Sequence, residues 1–434
     1  MVLSRRCLKG LQVNYEAEGL NVLYVGNPYR EETNPEGFIR LSCADNKLTQ
    51  DLLTKKFRSI DWAKFNEHEL FVYITPGGRI TTKKCFSDLM NEFTLRELST
   101  PIKPEELLLL SGTTMICDLL GQILFDEDEV LLAHAPYYHR FPNDFADRGL
   151  IEISNIPSIR QKSTDVILDV DLFEREYQKC KEVGKVVKAI LIVNPRNPDG
   201  GYFTLNEMKP VIDWAVKKYN LFVILDEIYD LAVYDPMEQE PFESAIKIFD
   251  QDPSLDKEKL VWMSGLSKNF SLPGLRTGVM YTPNKEVRDA MRRFLMYQGP
   301  NSTTEFLTRE LLKDKIWLRE VFLPESHRKL KEARDKTISF LENLKNETKK
   351  DIRWITPRAG FFILVDFSEF LESKTFEEED KLQNIFINNK VLIVPGRQLC
   401  MDIPGWFRII FSGSQWSVVN EGLQRIQKAL SSLS

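Results

Sequence analysis

Apolar runs in the middle of the chain that each stop at a short polar cluster constrain the fold more than any other feature. The run at 130–133 leads into HAPYY, 189–193 into NPRNPDGG, 221–225 into DEIYD and 260–263 into SGLSK; one further run, 278–281, comes soon after. Unbroken apolar runs are the pattern of strands buried on both faces, and stretches between them such as TLNEMKPVIDWAVKKYN read as helices. The pattern predicts an α/β fold with a mostly parallel sheet covered by helices on both sides. The short gap before 278–281 leaves room for one antiparallel strand.

Past about residue 305 the texture changes. Leu330, Ala333, Thr337, Leu341 and Leu344 mark one face of a charged amphipathic helix, and NLKNETKKD reads as its end and a turn. GFFILVDF, EEEDKLQNIFINN and VLIVPG then suggest a small α+β domain. The expected partition is an N-terminal arm with part of the small domain over 1–60, a large domain over 61–305 and a small C-terminal domain over 306–434.

Composition narrows the function classes. Lys and Arg number 58 against 64 Asp and Glu, a net charge of −6 without a dense basic cluster, so neither nucleic acid nor an anionic membrane is an expected partner. No apolar run approaches a membrane span. The six cysteines are scattered and the four histidines lack ligand spacing, which argues against a disulfide framework and a metal centre. Reduced thiols and the lack of a secretory signal suggest a cytoplasmic protein. No strand is followed by a G-x-G-x-x-G or Walker sequence, which disfavours a nucleotide-binding protein.

Ligands of open α/β sheets bind beyond the carboxyl ends of the strands, where the polar clusters fall. Each residue there has an ordinary reading. Asp226 is a fitting helix N-cap, Asn197 a turn residue, Tyr138 a core aromatic, Arg276 and Arg408 surface ion-pair partners, and Lys268 a surface lysine. Together they place an amine, a buried acid, phenols, an amide and two guanidinium groups on one rim. Pyridoxal phosphate needs that set: a lysine for its aldehyde, an acid opposite its pyridine nitrogen and a clamp for its phosphate.

At this level the chain resembles the fold-type I, class I/II aminotransferase superfamily, most closely its 1-aminocyclopropane-1-carboxylate (ACC) synthase-like branch. The resemblance runs from NPEGFIRLSCADNKL to PGWFRIIFSG. It implies an aspartate aminotransferase-like α/β fold, with a mostly parallel sheet of the seven-stranded type and a small α+β domain. It implies pyridoxal 5′-phosphate as cofactor, held by Lys268 of SLSK as an aldimine, with the freed amine then moving the Cα proton. Asp226 matches the acid facing the pyridine nitrogen, and Tyr229 and Asn197 the donors to the cofactor's 3-oxygen. Tyr138 matches the stacking aromatic, with Tyr137 as the alternative. Arg276, Thr113 and Thr114 match the phosphate clamp, and Arg408 the grip on the substrate's α-carboxylate.

Departures bear on the reaction. The usual serine three residues before the lysine is Gly265 here, leaving Ser264 or Ser267 as substitutes. The D-Y-H-G tyrosine of ACC synthases falls at Pro76, with Tyr73 nearby, and the glutamate of L-A-E-N is Asp45. Asp45 and Tyr73 are therefore substrate-side candidates. GPNST at 299–303 resembles a loop that crosses to a neighbour's phosphate, which implies a homodimer with shared sites. The expected function is an enzyme on α-amino acids performing transamination or carbon–sulfur elimination. True ACC synthase activity and a degenerate binding or regulatory protein are the alternatives.

Overall fold

The computed structural model describes residues 2–12, 17–160 and 162–433. Strand β1 (Ile39–Arg40) precedes the seven strands of the main sheet: β2 (Leu107–Leu110), β3 (Val130–Ala135), β4 (Glu152–Pro157), β5 (Val187–Val193), β6 (Phe222–Asp226), β7 (Leu260–Gly265) and β8 (Gly278–Tyr281). Their order is β2-β8-β7-β6-β5-β3-β4. Every pairing is parallel except those of β8, which runs against both β2 and β7. The expected α/β fold is therefore present, with its one antiparallel strand. Two strands have no counterpart among the apolar runs of the sequence. β4 lies at the sheet edge and leaves much of its surface open, so EISNIP carries little apolar signal. β2 is four leucines, too short a run to be told from buried helix by periodicity.

Beyond the main sheet lie β9 (Arg353–Ile355), β10 (Phe362–Asp366), β11 (Val391–Leu392), β12 (Val394–Pro395) and β13 (Trp406–Ile410). β12, β13, β10 and β9 form an antiparallel sheet in that order, and β1 pairs in parallel with β11. The Leu323–Thr348 helix buries Leu330, Ala333, Thr337, Leu341 and Leu344 against this second core, so its amphipathic stripe packs as its spacing indicates. Among the described residues no helix is long and apolar enough to cross a membrane.

The direction of the strands gathers distant residues into one place. β3, β5, β6 and β7 all end on one edge of the main sheet, and β2 runs the same way as β7. Their succeeding loops are therefore neighbours although their sequences lie up to 160 residues apart. β13, from the other sheet, brings Arg408 to the same edge.

Candidate active site

β6 ends at Asp226, a buried carboxylate whose Oδ1 accepts the Ile228 N–H at 3.1 Å. Burial raises its pKa to about 7, against that hydrogen bond, with the Asp230 charge adding to the rise. Such an acid gains most from a cationic partner.

β7 ends at Gly265 and runs straight into the Leu266–Asn269 helical turn that carries Lys268. Gly265 faces Gly278 across the β7–β8 ladder. A Cβ there would lie 2.7 Å from the Thr277 carbonyl oxygen and 3.2 Å from the Gly278 Cα, so packing excludes a serine side chain. Of the two substitutes, Ser264 is buried and committed to Asp230 (3.3 Å) and Asn269 (3.4 Å). Ser267 is half-exposed, and its hydroxyl has no partner among the described residues.

Lys268 Nζ donates to the Ala44 carbonyl at 2.6 Å. Burial lowers its pKa; Cys43 and Asp45 act against that, while the Arg408 and Arg276 charges reinforce it. A lysine held towards its neutral form is a better nucleophile than one in water. Arg408 is almost wholly buried. Its Nη1 donates to Asn197 Oδ1 at 2.9 Å and its Nη2 to the Ser42 carbonyl at 2.8 Å, while its buried Nε has no partner. Among the described residues no carboxylate is bonded to it. Tyr229 is equally buried, with rings of Phe361 and Phe362 edge-on at 5.4 Å and its Oη without a partner. It lies within electrostatic reach of Arg408, Asp226 and Tyr138. Asn197 is held by a rigid loop: Arg196 pairs with Asp199 at 2.8 Å, and Asp199 also accepts the Gly201 N–H.

The clamp region lies at the end of β2. Gly112, with φ of +89°, opens the Thr113–Ile123 helix. The Arg276 guanidinium lies so close that a Cβ on Gly112 would stand 2.6 Å from its Nη2. Among the described residues Arg276 bonds only carbonyls, Ser111 at 3.3 Å and Pro273 at 3.2 Å. Thr114 turns its hydroxyl to Asp144 at 3.1 Å, while the helix start presents its backbone N–H groups beside a cation. Tyr138 is half-buried, edge-on to Phe141 at 5.4 Å. Tyr137 instead points into the core and donates to Asn155 at 2.7 Å, which removes it as a stacking partner.

Two candidates stand differently. Asp45 is beside Lys268, but its carboxylate pairs with Arg40 at 3.3 Å. Tyr73 is 96% exposed and lines a groove of about 600 Å³ with Met296 and residues 299–304, away from Lys268. Asn301 caps the Ser302–Leu312 helix by accepting the Thr304 N–H at 2.8 Å. Sequence reasoning passed over the carbonyls of Ser42 and Ala44, which leave no signature in residue identity. It also passed over His139, although that residue follows Tyr138 directly.

Comparison with known proteins agrees with this geometry. Residues 37–426 match the family described as Aminotransferase class I and II. A mouse protein named "Probable inactive 1-aminocyclopropane-1-carboxylate synthase-like protein 2" is 31% identical over 90% of this chain, which spans 65% of that relative's length. The Arabidopsis thaliana protein named 1-aminocyclopropane-1-carboxylate synthase 4 is 31% identical over 93% of this chain and 85% of its own. The aspartate aminotransferase of Rhizobium meliloti superposes with a TM-score of 0.77 over 99% of each chain at 17% identity, a likeness of fold.

Pyridoxal 5′-phosphate, the cofactor of that family, fits what the rim offers. Among the described residues, a buried hydroxyl without a partner, a buried acid with no bonded cation, a lysine of lowered pKa and a guanidinium bonded only to carbonyls at a helix start are each left incomplete. A ring with an aldehyde, a basic nitrogen, an oxygen and a phosphate completes all of them. By the match over residues 37–426 and by its fold, the chain belongs to the class I and II aminotransferases and has pyridoxal 5′-phosphate as its cofactor.

Proposed function

We propose that this protein is an enzyme acting on α-amino acids, by transamination or by elimination at a carbon–sulfur bond. The observation that carries the reading is Arg408: a buried guanidinium bonded to an amide and a carbonyl, with an unsatisfied Nε and no bonded acid among the described residues. A substrate α-carboxylate supplies the missing charge and bonds.

Lys268, Tyr229, Asn197, Asp226, Tyr138 and the Arg276–Thr113–Thr114 corner would hold the cofactor. Once bound, it supplies an aldehyde that captures the substrate amine and a ring that accepts the electron pair left when Cα loses a proton. The chain's residues do the rest. Arg408 fixes the carboxylate and so the orientation of the Cα–H bond. Lys268 Nζ, of lowered pKa, takes and returns the Cα proton. Asp226 keeps a proton on the ring nitrogen by Coulomb attraction, and Tyr229 Oη and Asn197 donate hydrogen bonds to the ring oxygen. Where Lys268 returns the proton away from Cα, the amine would stay behind with the cofactor and water would supply the keto acid's oxygen; where a sulfur group leaves the side chain, it would depart as a thiol with that proton, a lyase outcome.

We read the protein as a cytoplasmic homodimer with shared sites, in which Tyr73 and GPNST face the partner. Apolar side chains that line the same groove as Tyr73 and stand exposed, Leu70 at 56% and Met296 at 60%, support this face as the interface. The pairing of β1 with β11 supports the partition into an arm with part of the small domain (1–60), a large domain (61–305) and a small domain (306–434). The "probable inactive" mouse relative supports a second reading, a fold kept for binding without turnover. The Arabidopsis relative's name supports ACC synthase activity itself as a third.

Absorbance titration separates them. The cofactor-loaded protein should change its spectrum with particular amino acids and yield keto acid, or thiol with ammonia. A spectrum inert to every amino acid leaves the binding reading, and ACC formed from S-adenosylmethionine selects the third.

A further inference from the structure

His139 sits on this rim without a role. It follows Tyr138 in the loop after β3, and the two rings meet at 5.0 Å between centroids. Its Nδ1 is buried with no partner, and its Nε2 makes no hydrogen bond among the described residues. Arg408, Arg140 and Lys268 all lie within electrostatic reach of the imidazole. Arg140 is answered by the buried carboxylate of Asp144, at 3.1 Å. Among the described residues Arg408 and Lys268 bond only neutral oxygens, and Asp45 and Asp226 lie within electrostatic reach of Lys268.

Resting on the enzymatic reading above, we propose that His139 determines specificity: a ring N–H hydrogen-bonds the far end of the substrate side chain and selects amino acids ending in carboxylate or carboxamide over aliphatic ones. An imidazole with no hydrogen-bond partner among the described residues, within electrostatic reach of the guanidinium that grips the α-carboxylate, is placed to read what else the substrate carries. Burial, and then the Arg408, Arg140 and Lys268 charges, push its pKa down to about 3. The ring is therefore neutral at working pH, with one donor and one lone pair. A base that weak does not compete with Lys268 for the Cα proton. The accepted groups differ in whether they complete the ring's hydrogen bond: a carboxylate or carboxamide oxygen accepts the ring N–H, and an alkyl end leaves it unmade. A site that offers a hydrogen bond discriminates against an analogue that leaves it unmade.

The test compares succinate with butyrate, amine-free probes of equal chain length, by calorimetry on the cofactor-loaded protein. Wild type should bind succinate about tenfold more tightly. His139→Leu should bring the ratio near one, and His139→Gln, which restores an N–H, should recover most of it and shows that the loop still folds. With amino acids, the Leu variant should raise KM for acidic substrates and leave kcat nearly unchanged. A wild-type succinate-to-butyrate ratio retained in His139→Leu overturns the proposal. If no amino acid perturbs the cofactor's absorbance in wild type, the enzymatic reading falls instead, and selection of substrates falls with it.

Discussion

The strand-end rim and the face around residues 70–73 are both made of loops, yet they are finished to opposite degrees. On the rim each loop is short, anchored by the strand before it and braced by internal bonds such as Arg196–Asp199. Tyr229 Oη and Arg408 Nε there are buried and without a partner among the described residues. The 70–73 tip is also anchored: Glu69 takes Arg79 at 3.3 Å and Arg309 at 3.2 Å, and Arg79 also reaches the buried Glu305. What it presents is exposed and apolar, with Tyr73 in solvent. A rim short of hydrogen-bond partners suits a small polar ligand, whereas a firmly held apolar tip suits the partner surface proposed above. One chain supplies nearly all of the first and none of what the second needs.

Perturbations that test this contrast should differ sharply in size. Lys268→Ala should have the largest effect, lowering turnover by about 10³-fold or more while folding is preserved, as read by steady-state kinetics and circular dichroism. Next is Arg408→Gln, which leaves a substrate carboxylate without its guanidinium. It should cost kcat/KM about 10²–10³-fold, mostly through KM. Equal losses for amines lacking a carboxylate would detach Arg408 from that role.

Asp226→Asn should divide function from stability. Activity should fall by about 10²-fold. The cofactor-free protein should behave the other way. The folded pKa of Asp226, about 7, lies above the ordinary carboxylate value, so the folded state binds the extra proton between roughly pH 4 and 7 and loses stability as pH rises through that window. The Asn variant should therefore melt a few degrees higher than wild type at pH 8 and equally at pH 4. A lower melting temperature at pH 8 would show that the acid is satisfied within the chain alone.

Smaller effects are expected away from the unsatisfied atoms. Gly265→Ser should destabilise by about 1–3 kcal/mol, because its Cβ meets the Thr277 carbonyl, and should not strengthen cofactor binding. Tyr73→Glu should weaken self-association in sedimentation velocity while each chain keeps its melting transition. A strictly monomeric wild type would dissolve the contrast between rim and tip.

The α/β architecture could be read from the sequence because strands buried on both faces carry an unbroken apolar signal and stop where the chain turns polar. Lys268, Asp226, Tyr229 and Asn197 were legible for the same reason, each sitting within a few residues of such a stop. Arg408 was harder. It lies inside β13 of a different sheet, away from any stop of an apolar run, and its role came from the resemblance. The carbonyls of Ser42 and Ala44 were invisible because any residue supplies one. Gly265 read as a departure in sequence, and the structure gives its cause: the β7–β8 ladder leaves no room for a side chain. β4 was missed because an open edge strand needs few apolar residues.

The central claim is that the amine of Lys268 holds the cofactor at the rim. Borohydride reduction of the cofactor-loaded protein, with digestion and mass spectrometry, fixes the cofactor to whichever lysine carries it. A single modified peptide containing Lys268, absent from Lys268→Ala, is the expected result. Label spread over exposed lysines, or unchanged in Lys268→Ala, would contradict the account.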